Sequence, residues 1–339
     1  MYICVKLQLK ANIEVENELK QYERHFKEEI NRITEIFRQR GHSFELRYKE
    51  ISNHISYNSK HLVLAQAKQK YAAEVKKEKY SAPFSSVWSN SSYQLKEHSV
   101  VLELGLYRHR NMLELPCYIN EQQRKRLQSG PHTNMKLICH RGKWSALIYV
   151  QIIFKPNGEK ATMGIDIGLK VPAVAALDSG EIRFFGNGRQ IRFQQRKYQS
   201  HIEAMLRHHQ KKKIYHFQHK LHHVLSDFDH KTAKQIIDYA IEKHVGVIKM
   251  ENLMSINKKY EKSKSKSLHH WSYRRLQDYI EYKAFIAGIR VVYINPYNTS
   301  RTCPQCGKIN HPKDRFYCCI CGFRGHRDAV AAMNILHAL

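Results

Sequence analysis

The chain has 339 residues, with 57 Lys and Arg against 30 Asp and Glu and a formal net charge of +27 at pH 7. This length allows two or three domains with buried cores, no apolar run approaches the roughly 18 residues of a membrane-spanning helix, and Met1 leads into an alternating segment without a secretion signal. Because neutralised phosphates release counterions, the positive charge favours nucleic acid over a membrane surface as the partner.

The first half of the sequence alternates between strand-like and helical patterns. The opening YICVKLQLK alternates like a strand, residues 14–40 are charged and helical, and a second helix is predicted over about 61–76. Short strand-like pieces follow, separated by Gly, Pro and Asn. We therefore predict a β-barrel-like module formed by residues 1–12 and 84–160, with residues 13–83 inserted as a helical lobe.

The second half carries a pattern typical of a mixed α/β sheet. Three short strands, in TMGIDIG, VPAVAAL and EIRFF, are joined by tight connections. A basic helical stretch, a second helix, the strand VGVIKM, a helix over about 273–287 and the strand IRVVYI follow. Three meandering strands and then helix–strand–helix–strand predict a ribonuclease H-like sheet over residues 161–297 and 325–339. The predicted fold class is α+β with several domains.

Five of the eight cysteines are clustered near the C-terminus, in the motifs CPQCG and CCICG. Both motifs fit Cys-x-x-Cys-Gly, a knuckle in which two thiolates face one ion. The spacing predicts four ligands of a structural zinc ion: Cys303, Cys306, Cys318 and Cys321. Cys319 breaks this spacing and is predicted to be a bystander. A filled tetrahedral site within a ribbon over 298–324 would stabilise the fold and leave no open position for catalysis.

Three acidic residues lie where a nuclease site would need them. Asp166 interrupts an apolar strand, where a charge is costly to bury unless it is paired or bound to metal. Glu251 follows VGVIKM, and Asp328 begins DAVAAMNIL. Neighbouring strands would bring the first two carboxylates together with the third from a helix, as a pair of Mg²⁺ ions about 4 Å apart requires. Taken singly, Asp328 could be a helix N-cap, Glu251 a solvated strand end and Asp166 a structural acid.

Several motifs occur in one order from residue 162 to residue 339. They are GIDIGLK, SDFDHKTAKQIIDYAIE, IKMENL, LQDYIEYKAFIAGIRVVYINPYNTSRTCPQCG and RDAVAAMNIL. Together they resemble the TnpB family of transposon-encoded proteins, relatives of the type V CRISPR effectors. The resemblance implies a RuvC-like nuclease domain with an inserted zinc ribbon, preceded by a wedge barrel that carries a helical recognition lobe.

The resemblance also implies an activity and its cofactors. A member of this family would be an RNA-guided DNA endonuclease that uses a guide RNA from the transposon end, cleaves target DNA and leaves a 5′ phosphate. Asp166, Glu251 and Asp328 would be the catalytic ligands of two Mg²⁺ ions, and the cysteines would hold one Zn²⁺. One departure is Val330, where the family often has Asn, whereas Asn334 fits the pattern.

A basic segment, RHHQKKKIYHFQHKLHH, places cations and histidines along a helix with an apolar second face. Taken alone it is a solvated helix face, but the net charge and the neighbouring nuclease motifs predict phosphate contacts. The predicted contacts are Arg207, Lys211, Lys212, Lys213 and Lys220. They would follow the backbone without reading sequence, as expected where a guide supplies specificity. A polar loop over 256–267 is expected to cover the carboxylates.

We therefore expect a magnesium-dependent, RNA-guided DNA endonuclease in a prokaryotic cytoplasm, associated with the nucleoid when bound to DNA and without a membrane partner. A monomer on its guide RNA is expected, and a dimer is also compatible with the sequence. Two alternatives remain open: a nuclease-inactive, RNA-guided repressor, and a transposase or its accessory DNA-binding protein. The three intact acids argue against the first, and the lack of a Tyr or Ser recombinase motif argues against the second.

Overall fold

The structure is a computed structural model divided into two compact units, residues 1–153 and 154–339. It describes residues 1–41, 46–76, 85–105, 111–140, 142–168, 170–208, 211–252, 267–312 and 314–338. The polar loop expected to cover the carboxylates lies outside these ranges, except for its last residue. Among the described helices, none combines the length and apolar character that crossing a membrane requires.

The first unit consists of short strands and three α-helices. Its strands are β1 (Tyr2–Gln8), β2 (Val87–Trp88), β3 (Tyr93–Leu95), β4 (Ser99–Leu104), β5 (Asn111–Pro116), β6 (His132–His140) and β7 (Lys143–Gln151). Its helices are α1 (Ile13–Arg40), α2 (Lys60–Val75) and α3 (Glu121–Leu127). The two long helices begin and end within one residue of the predicted bounds, because their apolar positions recur at helical spacing and Asn12 caps the first.

The predicted closed barrel in this unit is wrong. The described strands form two open antiparallel sheets, one in the order β1-β7-β6-β2 and the other in the order β3-β4-β5. A single bridge between Leu9 and Cys117 joins the sheets at one corner. The other side stays open because β2 pairs only two residues with β6, and the chain then turns at Ser89 and Ser92 into the second sheet.

The second unit contains the predicted mixed sheet. Its strands are β8 (Ala161–Asp166), β9 (Ala173–Leu177), β10 (Ile182–Phe185), β11 (Val245–Glu251), β12 (Arg290–Ile294), β13 (Phe316–Cys318) and β14 (Arg324–His326). Its helices are α4 (Gly188–Arg207), α5 (Lys211–Glu242), α6 (Ser267–Ile286) and α7 (Arg327–His337). The five-stranded sheet has the order β10-β9-β8-β11-β12, with β8, β9 and β10 antiparallel and β11 parallel to both neighbours.

The helices between the third and fourth strands of this sheet differ from the prediction. The basic stretch and the following apolar helix are not two helices but one, because the sequence of α5 contains no Gly or Pro. The first half of α5 therefore contains most of the basic segment. The second half packs on the sheet through the buried residues Ala233, Ile236 and Ala240. A buried ion pair between Arg275 and Asp229 joins α6 to α5.

Helix α7 lies on the opposite side of the sheet, directly against β8. A Cβ atom at Gly164 would come within 2.4 Å of the Ala332 carbonyl oxygen and of the Leu336 nitrogen. Only glycine therefore allows this approach, since real Cβ contacts do not reach that distance. The short alanine side chains of α7 pack against Val174 and Ala176 of β9. This contact fixes where α7 begins relative to the end of β8.

Candidate active site and metal centre

Two of the predicted carboxylates lie at the same edge of the five-stranded sheet. Asp166 is the last residue of β8, and Glu251 is the last residue of β11. The two strands run parallel, with Ile165 paired to Met250. Because parallel strands end at the same edge, the register places Asp166 beside Glu251. The prediction that these two strands lie side by side is confirmed.

The third carboxylate comes to this edge from α7. Asp328 is in the first turn of that helix, and its Oδ2 lies 3.9 Å from the position of a Cβ atom on Gly168, two residues beyond Asp166. The N-cap is His326, whose Nδ1 accepts a hydrogen bond from the Asp328 N–H at 3.2 Å. Asp328 is therefore not the cap, and its buried side chain is directed to other partners.

The electrostatics of the site link Asp166 to the other two acids. Burial, followed by the charges of Glu251 and Asp328, raises the pKa of Asp166 to about 8, against the opposing charges of Arg315 and Arg327. Burial also raises the pKa of Glu251, against a hydrogen bond that favours its charged form. Asp328 is buried and the other two acids are partly buried, so additional positive charge is needed if all three are to be ionised at neutral pH.

Neighbouring side chains hold two of the acids in place. The Thr299 hydroxyl donates to the Glu251 carboxylate, and the Gln277 amide donates to the Glu251 backbone carbonyl at 2.8 Å. The Arg315 guanidinium forms an ion pair with Asp328. Sequence reasoning missed Thr299, Arg315 and Gln277, because each lies in a polar or amphipathic stretch without a periodic signal. The available clue was their position along the chain. Thr299 and Arg315 lie near a cysteine knuckle, and Gln277 lies in the helix before β12.

The donor set fits divalent cations of the magnesium type. All three side chains offer carboxylate oxygens, which Mg²⁺ prefers, and burial gives a bound cation a large electrostatic advantage. Among the described residues, one group of three or more potential metal ligands has all its donor atoms within 4.8 Å of one another, and it consists of cysteines. The donor atoms of the three carboxylates are therefore spaced more widely than 4.8 Å.

A cluster of four thiols lies in the segment between β12 and α7. It consists of Cys303, Cys306, Cys319 and Cys321, whose sulfur atoms all lie within 4.8 Å of one another. The first knuckle is closed by hydrogen bonds from the Cys303 N–H to the Lys308 carbonyl at 2.9 Å and from the Gly307 N–H to the Cys303 carbonyl at 2.9 Å. Four thiolates are the number of ligands that a tetrahedral structural zinc site requires, so the cluster fits a structural zinc ion.

The prediction of Cys318 as a ligand is corrected by this geometry. Cys318 is the exposed last residue of β13, paired with Arg324, and the structure places its neighbour Cys319 in the cluster instead. The second knuckle is one residue shorter than the first, because the Cys319 N–H bonds to the Phe323 carbonyl and the Gly322 N–H bonds to the Cys319 carbonyl. Because β13 extends through Cys318, the second knuckle begins at Cys319, one residue later than the Cys-x-x-Cys spacing predicts.

We expect Cys319→Ser to lose zinc and Cys318→Ser to keep it. Three thiolates without the fourth bind zinc more weakly, and metal binding contributes directly to the stability of small zinc-bound segments. The zinc content per chain, measured by mass spectrometry of the purified protein, should fall from about one to well below one only for Cys319→Ser. Cys139→Ser, which removes an exposed thiol from β6, is the matched control. Loss of zinc from Cys318→Ser but not from Cys319→Ser would instead identify Cys318 as the ligand, as the Cys-x-x-Cys spacing predicts.

The predicted phosphate-binding cations lie on α4 and α5. Arg207 ends α4, while Lys213 and Lys220 are exposed on the first half of α5. Lys211 and Lys212 begin α5. No acidic residue occurs in α5 before Asp227, so the surface of this half of the helix carries cations and histidines without neutralising carboxylates. These placements suit backbone contacts, and the assignment of individual contacts stays a prediction.

Neutralising three of these cations together should weaken DNA binding equally for all sequences. We expect Arg207→Gln, Lys213→Gln and Lys220→Gln combined to lower the slope of log K against log salt concentration by about 2 to 3, since each lost phosphate contact removes roughly 0.7–0.9. Fluorescence anisotropy at several salt concentrations measures this slope. A control with Lys231→Gln and Lys234→Gln removes cations that already pair with aspartates four residues away on α5. An equal change of this slope in the control would show that the cations of Arg207 and the first half of α5 have no special role in DNA binding.

Comparison with known proteins finds relatives of this chain over part of its length. The family model described as "Cas12f1-like, TNB domain" matches residues 273–335. A CRISPR-associated endodeoxyribonuclease Cas12f1 of Sulfoacidibacillus thermotolerans is 32% identical over 192 residues, which cover 51% of this chain and 44% of that protein. The TnpB-like protein MJ0751 of Methanocaldococcus jannaschii is 36% identical over 116 residues, covering 33% of this chain and 41% of that one. The chain thus spans less than half the length of these curated relatives.

A solved structure shares the fold over most of the chain. It is the cryo-EM structure of a Cas12f1–sgRNA–target DNA complex, with a TM-score of 0.67 and 16% identity, covering 94% of this chain and 81% of that protein. A CasPhi-2 (Cas12j) structure bound to crRNA matches with a TM-score of 0.54 and 9% identity, covering 99% and 97% of the two chains. At these identities the similarity establishes a shared mixed α/β, multidomain fold.

Proposed function

We propose that this chain, which is similar to Cas12f1 and TnpB-like proteins over part of its length, is a member of the TnpB family and an RNA-guided DNA endonuclease with a single RuvC-like active site. The observation that supports this most directly is the position of Asp166, Glu251 and Asp328 at one edge of the sheet, where the latter two carboxylates raise the pKa of Asp166. One relative is named as an endodeoxyribonuclease, and one structural relative was solved in a complex with sgRNA and target DNA.

We propose the following division of labour among the residues of the site. Asp166, Glu251 and Asp328 would hold two Mg²⁺ ions, which when bound activate water and stabilise the leaving oxygen. The Thr299 hydroxyl orients the Glu251 carboxylate, and Arg315 balances the charge of Asp328 until substrate or metal approaches. The partly buried setting of Asp166 limits its contact with water and so strengthens its charge interactions in the site.

The remaining assignments follow from the family. The five-stranded sheet with its helices would be the ribonuclease H-like nuclease core, residues 298–324 a zinc ribbon, and the first unit the wedge and recognition modules. Guide RNA derived from the transposon end and complementary target DNA would be the partners, in the cytoplasm of a prokaryotic cell. Pairing with the guide would supply sequence specificity, while the cations of α4 and α5 would contact phosphates.

The function is tested by isolating the protein with its native RNA. We expect a defined RNA that matches the transposon end to co-purify, and we expect the complex to cut DNA containing the guide complement when Mg²⁺ is added. Sequencing of the RNA and mapping of the cut ends measure the two expectations separately. Guided binding without cutting at any Mg²⁺ or Mn²⁺ concentration would instead support the RNA-guided repressor.

A further inference from the structure

The loop after β12 is fixed at both ends to Glu251. At its start, Ile294 is the β12 residue paired with Glu251, and its carbonyl accepts a hydrogen bond from the Asn252 N–H at 2.8 Å. At its end, the Thr299 hydroxyl donates to the Glu251 carboxylate. Residues 295–298 therefore form a short loop that leaves from one catalytic residue and returns to it.

The backbone of this loop is held before any substrate arrives. Pro296 restricts its own φ angle, and the Tyr297 N–H donates to the Asn295 side chain at 3.1 Å. Beyond the loop, the Asn334 amide on α7 donates to the carbonyls of Thr299 and Thr302 at 2.6 and 2.7 Å. The loop is thus connected to β11, β12 and α7 together.

This loop carries one aromatic side chain, that of Tyr297. Tyr297 is 81% exposed, so its ring contributes little to the core of the unit. Tyr297 is three positions beyond Ile294, so the Cα atoms of these two residues lie within about 10 Å of each other. A few stacked nucleotides, at about 3.4 Å each, cover that distance. The exposed Arg301 follows on the same turn. Single exposed aromatics are common on protein surfaces, but this one is positioned by the residues that hold the catalytic acid.

We propose that Tyr297 forms a stacking subsite for an unpaired base of the DNA strand being cut, and that Arg301 contacts the adjoining phosphate. This inference rests on the proposed endonuclease function and adds to it a residue that positions the strand. Aromatic rings stack on any base and so hold a strand without reading its sequence, which suits a site where the guide selects the target. A base held at a fixed distance from the carboxylates would determine which phosphodiester bond enters the site.

The stacking itself is tested by binding without cleavage. Single-stranded DNA carrying 2-aminopurine at successive positions is titrated with the RNA-bound protein in an Asp166→Asn background. We expect strong quenching of the probe at one or two neighbouring positions, and loss of that quenching with at least fivefold weaker binding in Tyr297→Ala. Tyr297→Phe should restore both, because stacking needs the ring and not the hydroxyl. Quenching that is unchanged in Tyr297→Ala overturns the inference.

The positioning role is tested by cleavage of guide-matched DNA. We expect Tyr297→Ala to raise KM by about tenfold and to spread the cuts over neighbouring bonds, while Tyr297→Phe cuts like the original chain. Tyr118→Ala removes a ring of similar exposure, 73%, from the first unit and serves as control. A Phe variant that behaves like Ala would overturn the stacking role. If the original chain never cuts DNA, the proposed function fails, whereas the quenching experiment still decides the subsite.

Discussion

Asp166→Asn should reduce DNA cleavage by about a thousandfold or more while leaving the guide RNA bound. The substitution removes a negative ligand from the centre of the three carboxylates and leaves a neutral amide of nearly the same shape. Losing several kcal/mol of charge stabilisation in the transition state corresponds to at least three powers of ten in rate. Single-turnover cleavage of a guide-matched duplex in Mg²⁺ measures the loss.

The control for this variant removes an aspartate that has no part in the site. Asp238 is exposed on α5 and pairs with Lys234, and such surface pairs contribute little to stability or function. Asp238→Asn changes the net charge of the same unit by the same amount and should cut normally. Co-purified RNA should be equal in all three proteins. If the Asp166→Asn variant is as active in cells as the original chain, the chain acts by binding rather than by cutting.

The sequence predicted the elements that bring the acids together, but not their immediate partners. Alternation and helical spacing located β8, β11, α1 and α2, because these patterns follow directly from which face of each element is buried. The positions of Thr299 and Arg315 depend instead on how a loop and a zinc-binding segment fold back onto the sheet. No local pattern in the sequence encodes such a return of the chain.

Two errors of the sequence reasoning have specific physical causes. The open sheets of the first unit depend on how many residues β2 pairs with β6, and pairing length is set by the turn at Ser89 and Ser92 rather than by alternation. The exchange of Cys318 for Cys319 depends on where β13 ends. Spacing rules assume that the second knuckle has the same length as the first, and adjacent cysteines make either length possible.

Without divalent metal, the stability of the second unit should fall as pH rises from about 4 to about 8. An unfolded chain releases the Asp166 proton near pH 3.9, whereas burial and the neighbouring acids raise the folded pKa to about 8. Between these values the folded state binds a proton that the unfolded state has lost, so higher pH favours unfolding. Each pH unit in this window costs up to about 1.4 kcal/mol. Glu251 adds to the loss, because its pKa is also raised.

Asp166→Asn removes this titration and should therefore stabilise the protein where the original chain is weakest. We expect the midpoint of thermal unfolding of the variant to equal that of the original chain near pH 4 and to exceed it by several degrees at pH 8, since 1 kcal/mol shifts a unit of this size by about 2–4 °C. Mg²⁺ at ten times its dissociation constant should restore about 1.4 kcal/mol to the original chain. The variant should respond less to Mg²⁺, because it lacks the central ligand. A difference between the two proteins that is independent of pH, or an equal response of both to Mg²⁺, would show that Asp166 neither titrates in the folded site nor binds the ion.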